Sequence, residues 1–272
     1  AQKLRNGLAS GGHIVIIRAG YIGLEVAASA RKLGLDVTII EMAERCMIRT
    51  ASPERSEYFQ DYHTRQGVNF MTSMGVTEIL TEGGVAAGVK LSNGDTLSCD
   101  HVLMAAGGVP EITLAQDCGL LCDNGIMVNE QSRTADPNIY AIGDCARRPS
   151  PFFNEPIRIE SVHNAHEQGA IVAAAITGTA APRLDAPWFW SDQFDLKLQI
   201  AGLNKGGETR VIRKEPDGGL AIFHYLGAQV MSVEAVNSPK SYMATRRAIS
   251  LGKTIDRDMA GDANADLRKA IV

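Results

Sequence analysis

"HIVIIRAGYIGLEVAASARKLGLDVTIIE", residues 13–41, decides the fold. "HIVIIRA" carries a continuous apolar run rich in β-branched residues, the pattern of a buried parallel strand. In "YIGLEVAASARKLG", Ile22, Val26, Ala30 and Leu33 recur at helical spacing, and Gly34 closes the helix. "DVTIIE" is a second strand that ends on Glu41. Strand, tight turn, helix, strand and terminal acid make up the layout of a dinucleotide-binding unit.

The turn departs from the G-x-G-x-x-G pattern at its first position. Arg18, Gly20 and Gly23 occupy the three glycine places. The second glycine lets backbone approach a pyrophosphate, and the third lets helix and strand pack closely. Glu41 follows Arg18 by 23 residues, close to the spacing of a carboxylate that binds ribose hydroxyls, where it favours NAD over NADP by repelling a 2′-phosphate. Arg18 admits two readings. Its side chain strains the turn and obstructs the pocket, because non-glycine residues tolerate positive φ poorly; or its guanidinium pairs with pyrophosphate. Impaired binding is the expectation of the two.

The chain has 272 residues, 45% of them hydrophobic, and a net charge of −4. That length allows more than one domain. The charge gives no argument for nucleic-acid binding. The longest apolar runs, such as "AIVAAAI" at 170–176, are too short to span a bilayer. "AQKLRNGLAS" has no signal-peptide core, and five scattered cysteines suit a reducing cytoplasm. A start without methionine, shortly before the first strand, reads as a processed end or a cut fragment.

Beyond residue 41 the alternation continues. Ser52-Pro53 opens an amphipathic helix over 52–67, and "VNFMTS" is a short strand. "VTEILTEGG", "VAAGVKLSNGD" and "TLSC" read as an antiparallel meander with a turn at 93–95, after which "HVLMAA" rejoins the parallel sheet. A short helix and the strands "IMVNE" and "IYAIG" fill 113–145, followed by a strong helix over 158–178. "TAAPRLDAPWFW" (179–190) reads as a linker. Strands at 197–203, 209–214, 219–226 and 228–236 and an amphipathic helix from Pro239 form a small α+β unit.

Four motifs carry a resemblance: "GYIGLEVAASARKLGLDVTIIEMAERCMIR", "TADPNIYAIGDCA" (134–146), "RIESVHNAHEQG" (158–169) and "PWFWSDQFDLKLQIAGLN" (187–204). With them the chain resembles the FAD-dependent, NADH-dependent ferredoxin reductases of P450 and aromatic-ring dioxygenase systems, the putidaredoxin/rhodocoxin reductase-like family. The fold this implies is α/β. A Rossmann-type NAD domain with inserted β-meander spans 1–112. Part of the FAD domain of the two-dinucleotide-binding-domain flavoprotein fold spans 113–187, and a C-terminal α+β domain spans 188–272. The family's first FAD turn would precede residue 1, so these 272 residues alone are expected to hold little flavin.

The resemblance implies NADH contacts for Gly20, Tyr21, Ile22, Gly23, Glu25, Glu41 and Arg49, with Glu25 toward the nicotinamide end, and places Gly107 near both nucleotides; Ala105 replaces a usual glycine. It implies FAD contacts for Gly143, Asp144, Val162 and Trp190. The residues also make sense alone: Asp144 ends an apolar strand, where a carboxylate can accept from a ribityl hydroxyl or merely cap a turn. Glu25 can also be a helix-start carboxylate favoured by the dipole, and Trp190 a packed aromatic.

The implied function is NADH-dependent reduction of FAD and electron transfer to a [2Fe-2S] ferredoxin, with no side chain acting as acid or base. Arg147, Arg148 and Arg158 are candidates for a basic rim that steers an acidic ferredoxin, or ordinary surface arginines. His163 and His166 lack matching metal ligands, and Cys118 and Cys122 lie far from any flavin-side redox position. Two other readings stay open: a non-catalytic remnant or dinucleotide-binding module, and another NADH:flavin oxidoreductase, against which "PWFWSDQ" argues.

Overall fold

The computed structural model describes residues 7–9, 11–150, 155–204 and 206–272; the leader-free reading of residues 1–10 falls mostly outside them. The first sheet is built on β1 (His13–Ile17), whose Ile14, Val15 and Ile16 are fully buried. A positive-φ turn leads into α1 (Tyr21–Lys32), and Gly34 at φ +87 releases the chain into β2 (Asp36–Ile40). Next come α2 (Pro53–Arg65), capped by the Ser52 side chain on the Arg55 amide, and β3 (Val68–Met71). β4 (Val76–Glu82), β5 (Val85–Leu91) and β6 (Thr96–Ser98) form the expected antiparallel meander, and β7 (His101–Met104) returns beside β1. The parallel order is β3-β2-β1-β7, with Ile14 paired to Val37 on one side and to His101 on the other.

α1 keeps half of the stripe its apolar spacing predicts, with Ala30 buried and Val26 packed against the core, and turns the other half outward. Ile22 and Leu33 are 64% and 49% exposed, while Gly23, Leu24, Ala27, Ala28 and Ala30 are buried. The cause is Gly23: a Cβ there would lie 2.3 Å from the Arg18 carbonyl oxygen. This contact point sets the rotation of the helix, and the alanines follow it at helical spacing.

The middle of the chain is less regular than predicted. After α3 (Thr113–Asp117), "IMVNE" supplies only β8 (Ile126–Met127), which pairs in parallel with β9 (Ala146–Arg147) behind a 3-10 turn at Gly143–Cys145. "IYAIG" is not a strand. Its backbone pairs with 132–134 through one Arg133–Tyr140 bridge, the Ala141 amide donating to the Ser132 carbonyl and the Thr134 amide to the Ile139 carbonyl, too short a pairing for a strand. α4 (Val162–Thr177) starts four residues later than predicted, since Ser161 is extended and caps it through the Asn164 amide; Gly178 ends it at φ +70.

The predicted linker ends at Pro187. Residues 188–193 are a strand, β10 (Trp188–Gln193), in the five-stranded antiparallel sheet β10-β11-β14-β13-β12. The others are β11 (Leu196–Gly202), β12 (Thr209–Lys214), β13 (Leu220–Leu226) and β14 (Gln229–Val236). α5 (Pro239–Ser250) and α6 (Arg257–Gly261) follow. β13 is buried on both faces. Ala221, Phe223 and Tyr225 share a core with Ala248 and Ile249 of α5. Leu220 and Ile222 join Leu196, Leu198 and Val236 in one core with Ile14, Leu24 and Phe59 of β1, α1 and α2. The C-terminal sheet is therefore welded to the first unit rather than tethered to it.

A buried ion pair crosses the same junction. Arg55 of α2 is fully buried and its Nε lies 3.6 Å from Glu234 of β14, itself 2% exposed. Glu234 also accepts from the Ser52 amide at 3.1 Å and from the Ser52 hydroxyl at 2.5 Å, and His224 Nε2 lies 3.6 Å away. Burial raises the Glu234 carboxyl, but His224, Arg55 and Ser52 together outweigh it and hold it below the usual range. Replacing one member strands the other without water. Arg55→Met should therefore cost about 3–5 kcal/mol in urea unfolding, and Arg55→Met with Glu234→Leu should cost less than the two single changes added together. Strict additivity would show that the two groups do not interact.

Candidate functional site

The turn after β1 keeps a glycine-type backbone although its first position is arginine. Arg18 sits at φ +84, its amide donates to the Ile40 carbonyl at 2.8 Å, and its side chain is exposed. A residue held there costs about 1–3 kcal/mol. Ala105, by contrast, is not among the positive-φ residues, so alanine in place of glycine brings no strain. Nothing stands within 4 Å of a Cβ built on Gly20, which leaves this backbone open to a close-lying ligand. Glu41 is buried and braces the turn: one carboxylate oxygen accepts from the Ala19 amide at 2.8 Å, the other from the Ala43 amide at 2.9 Å. Each oxygen keeps a second acceptor direction. Arg49, on the exposed segment after β2, brings Nη2 within 3.8 Å of where a Gly107 Cβ would stand, and Gly107 takes φ +92.

β10 crosses the start of α1, and its two faces meet different elements. On one face Phe189 packs against Tyr21, ring centroids 4.6 Å apart, and the Ser191 hydroxyl donates to Glu25 at 2.5 Å. Gln193 of the same face reaches His63 of α2 at 2.8 Å. The match is geometric. Two residues along a strand advance about 6.6 Å, and four along a helix about 6 Å, so 189/191 meets 21/25 in register. Tyr21 is fixed from below as well, since Arg55 donates to its hydroxyl at 3.0 Å.

The other face of β10 carries Trp188 and Trp190, 5.5 Å apart, and Trp188 lies 5.3 Å from the His163 ring at the start of α4. Trp190 is 40% exposed and Val162, the first residue of α4, 54% exposed. α4 packs on the Gly143–Cys145 turn: Gly143 takes φ +76 and donates to Gln168 Oε1 at 2.5 Å, leaving Asp144 exposed. Tyr21, Glu25 and Trp190 thus gather around one strand, while Asp144 and Val162 gather around one helix start.

A family model described as pyridine nucleotide-disulphide oxidoreductase matches residues 1–169, and a second, described as reductase C-terminal, matches 188–271. The chain belongs to the pyridine nucleotide-disulphide oxidoreductase family. Rhodocoxin reductase of Rhodococcus erythropolis is 45% identical over the whole chain, which spans 64% of that relative. Putidaredoxin reductase of Pseudomonas putida is 35% identical, and the chain spans 65% of it. The ferredoxin reductase for the CYP199A2 system from Rhodopseudomonas palustris superposes with TM-score 0.94 at 42% identity, covering 100% of this chain and 67% of that one. The covalent putidaredoxin reductase–putidaredoxin complex superposes with TM-score 0.94 at 33% identity, over 99% of this chain and 65% of that one. The fold is accordingly that of the two-dinucleotide-binding-domain flavoprotein reductases, and this chain spans about two thirds of them.

Members of the pyridine nucleotide-disulphide oxidoreductase family use FAD and a pyridine nucleotide. The residues here fit a pyridine nucleotide: the open Gly20 backbone, the Gly23 contact and the Glu41 brace form a cradle that a Cβ at position 23 would break. The Gly143–Asp144 turn, the α4 start and Trp190 fit one part of a flavin site, while the described residues hold a single strand–glycine turn–helix unit.

The basic rim expected at Arg147, Arg148 and Arg158 is not formed by free side chains. Arg147 pairs with Asp123, Arg148 is buried against Glu167, and Arg158 bonds Glu160 at 2.5 Å and the Asp144 carbonyl at 2.9 Å. All three are internal ties around the Gly143–Cys145 turn and the start of α4. Among the described residues no metal-ligand cluster forms, and burial lowers the His163 imidazole. Cys118 and Cys122 are free thiols. Sequence reasoning passed over Phe189, Ser191 and Gln193, whose only signal is an alternation within "FWSDQ" that gains meaning once β10 lies on α1, and over Arg55 and His63 of α2, which carry no such signal.

The strain at Arg18 gives a direct expectation. Arg18→Gly relieves the backbone but frees the unfolded chain, for a net gain of about 1 kcal/mol in thermal unfolding, and it should tighten NADH binding in calorimetry. Weaker binding by the glycine form would show that the guanidinium holds the pyrophosphate.

Proposed function

We propose that these residues are the NAD-binding part (1–112), the C-terminal half of the FAD-binding part (113–187) and the C-terminal domain (188–272) of an NADH-dependent flavoprotein reductase, and that it passes electrons to a [2Fe-2S] ferredoxin of a P450 or dioxygenase system in the cytoplasm. The observation that carries the reading is β10: one face is seated on Tyr21 and Glu25, the other presents Trp190 beside the start of α4. One strand thereby brings the candidate nicotinamide and isoalloxazine neighbours together.

A bound flavin would supply the redox chemistry, accepting a hydride and releasing single electrons. The chain's own residues have other tasks. The Gly20 backbone and the amides at the start of α1 offer donors to a pyrophosphate. Glu41 offers its remaining acceptor directions to ribose hydroxyls, and Arg49 and Gly107, neighbours in the fold, are further contacts. Tyr21 and Phe189 exclude water from the junction. Asp144 offers acceptors to a ribityl chain, and Val162 exposes the helix start. No described histidine or cysteine is needed as acid, base or nucleophile.

A second reading, a dinucleotide-binding remnant, draws on the strain at Arg18. The experiment that separates them uses the whole flavoprotein of which these residues are part, loaded with FAD: NADH should reduce the flavin, and a [2Fe-2S] ferredoxin should be reduced in turn. A flavin that stays oxidised under NADH would favour the remnant. Glu41 sets a further expectation. Calorimetry should give tighter binding of NADH than of NADPH, and the reverse order would detach Glu41 from the ribose.

A further inference from the structure

We infer that Ser191 and Gln193, backed by His63, are positioning residues that fix the Glu25 carboxylate toward the nicotinamide end of the dinucleotide; the inference rests on the site reading above. Ser191 and Gln193 belong to the C-terminal sheet and His63 to α2, and all three side chains are buried. His63 Nε2 lies 2.8 Å from Gln193 Oε1, Gln193 Nε2 lies 3.1 Å from Ser191 Oγ, and Ser191 Oγ lies 2.5 Å from Glu25 Oε1.

The chain has one direction. An amide oxygen only accepts, so His63 carries its proton on Nε2. The Gln193 amide nitrogen only donates, so it fills a lone pair of Ser191. The single hydroxyl proton of Ser191 is left for Glu25. A lone serine hydroxyl rotates among partners, but this one cannot without stranding a buried donor. His63 Nδ1 is buried with no partner, and burial pushes this imidazole down to about 4, against the pull of Gln193. The ring therefore stays neutral, and the chain keeps its direction across ordinary pH.

The consequence for Glu25 is a carboxylate held by one oxygen, which leaves the other as an acceptor for a ligand. Glu25 is half-buried on the first turns of α1, one helical turn from Tyr21. Rotation of its end group would cost the hydrogen bond to Ser191. A dinucleotide entering along the turn thus meets an acceptor already oriented, and the binding loses less entropy in ordering it. The C-terminal domain acts on the nucleotide here without touching it.

The test compares two ligands by calorimetry on the full chain. ADP-ribose contains the half that meets Gly20 and Glu41 and lacks nicotinamide; NAD+ contains both halves. Ser191→Ala should weaken NAD+ about tenfold, the loss of one hydrogen bond to a charged group, and leave ADP-ribose within about twofold. Ser191→Thr keeps the hydroxyl and should restore NAD+ affinity. Gln193→Met keeps the volume, frees the Ser191 proton and should give a loss of the same kind; if Ser191→Ala does not fold, it carries the comparison. Unchanged NAD+ affinity, or equal weakening of both ligands, overturns the positioning role while the dinucleotide site stands. An unaltered chain that binds neither ligand overturns the site reading and this inference together.

Discussion

Arg55 lies wholly inside the protein, and its charge has to be answered there. Glu234 answers it from β14, and the same carboxylate takes the Ser52 amide and hydroxyl at the start of α2. Arg55 in turn donates to the Tyr21 hydroxyl and the Thr50 carbonyl, with its guanidinium 5.6 Å from the Tyr21 ring centroid. A charge in this setting gains little net stability over a well-packed apolar replacement, but it penalises every arrangement that separates the partners. The pair therefore specifies how the C-terminal sheet sits on the nucleotide unit. The orientation of β10, and with it Phe189, Ser191 and Trp190, follows from that seating.

The seating works because two unlike repeats happen to agree. Alternate residues of a strand and every fourth residue of a helix advance by nearly the same distance. Phe189 and Ser191 can then meet Tyr21 and Glu25 without a bulge in β10, whose register with β11 is unbroken from Trp188 to Gln193. The opposite face of the strand is left for the indoles. A shift of one residue in β10 would exchange the two faces, turning indoles onto α1 and polar groups toward α4. The shared core of Leu196, Leu198, Leu220, Ile222 and Val236 with Leu24 and Phe59 makes such a slip costly.

Much of this architecture was legible in the residues. The β1–α1–β2 unit, the Ser52 cap, the meander with its turn at Gly94 and the return of β7 to the parallel sheet follow from periodicity and turn chemistry, which are local. The buried face of α1 was read only in part, through Val26 and Ala30, because Gly23, having no side chain, scores as neutral in an apolar stripe, yet it marks the closest approach. "IYAIG" reads as a strand because it is apolar and β-branched, but a strand also needs a neighbour to pair along its length. The start of β10 was lost in a proline-containing stretch. Of the site, the glycine turn and Glu41 declare themselves by spacing. Ser191, Gln193 and His63 do not, since 128 residues of chain separate His63 from Ser191 and only folding brings them together.

Glu41 has an evolutionary consequence. Its two oxygens hold the amides of Ala19, within the turn after β1, and of Ala43, just past β2. A residue that could alter coenzyme choice is thus also a bolt in the scaffold. Exchange of this acid for a neutral or basic side chain would leave the buried Ala19 amide and the part-buried Ala43 amide without their acceptor in the same step. Such an exchange would need compensating acceptors before it could be tolerated, so this acid is bound to the folding of the turn whatever its part in coenzyme choice.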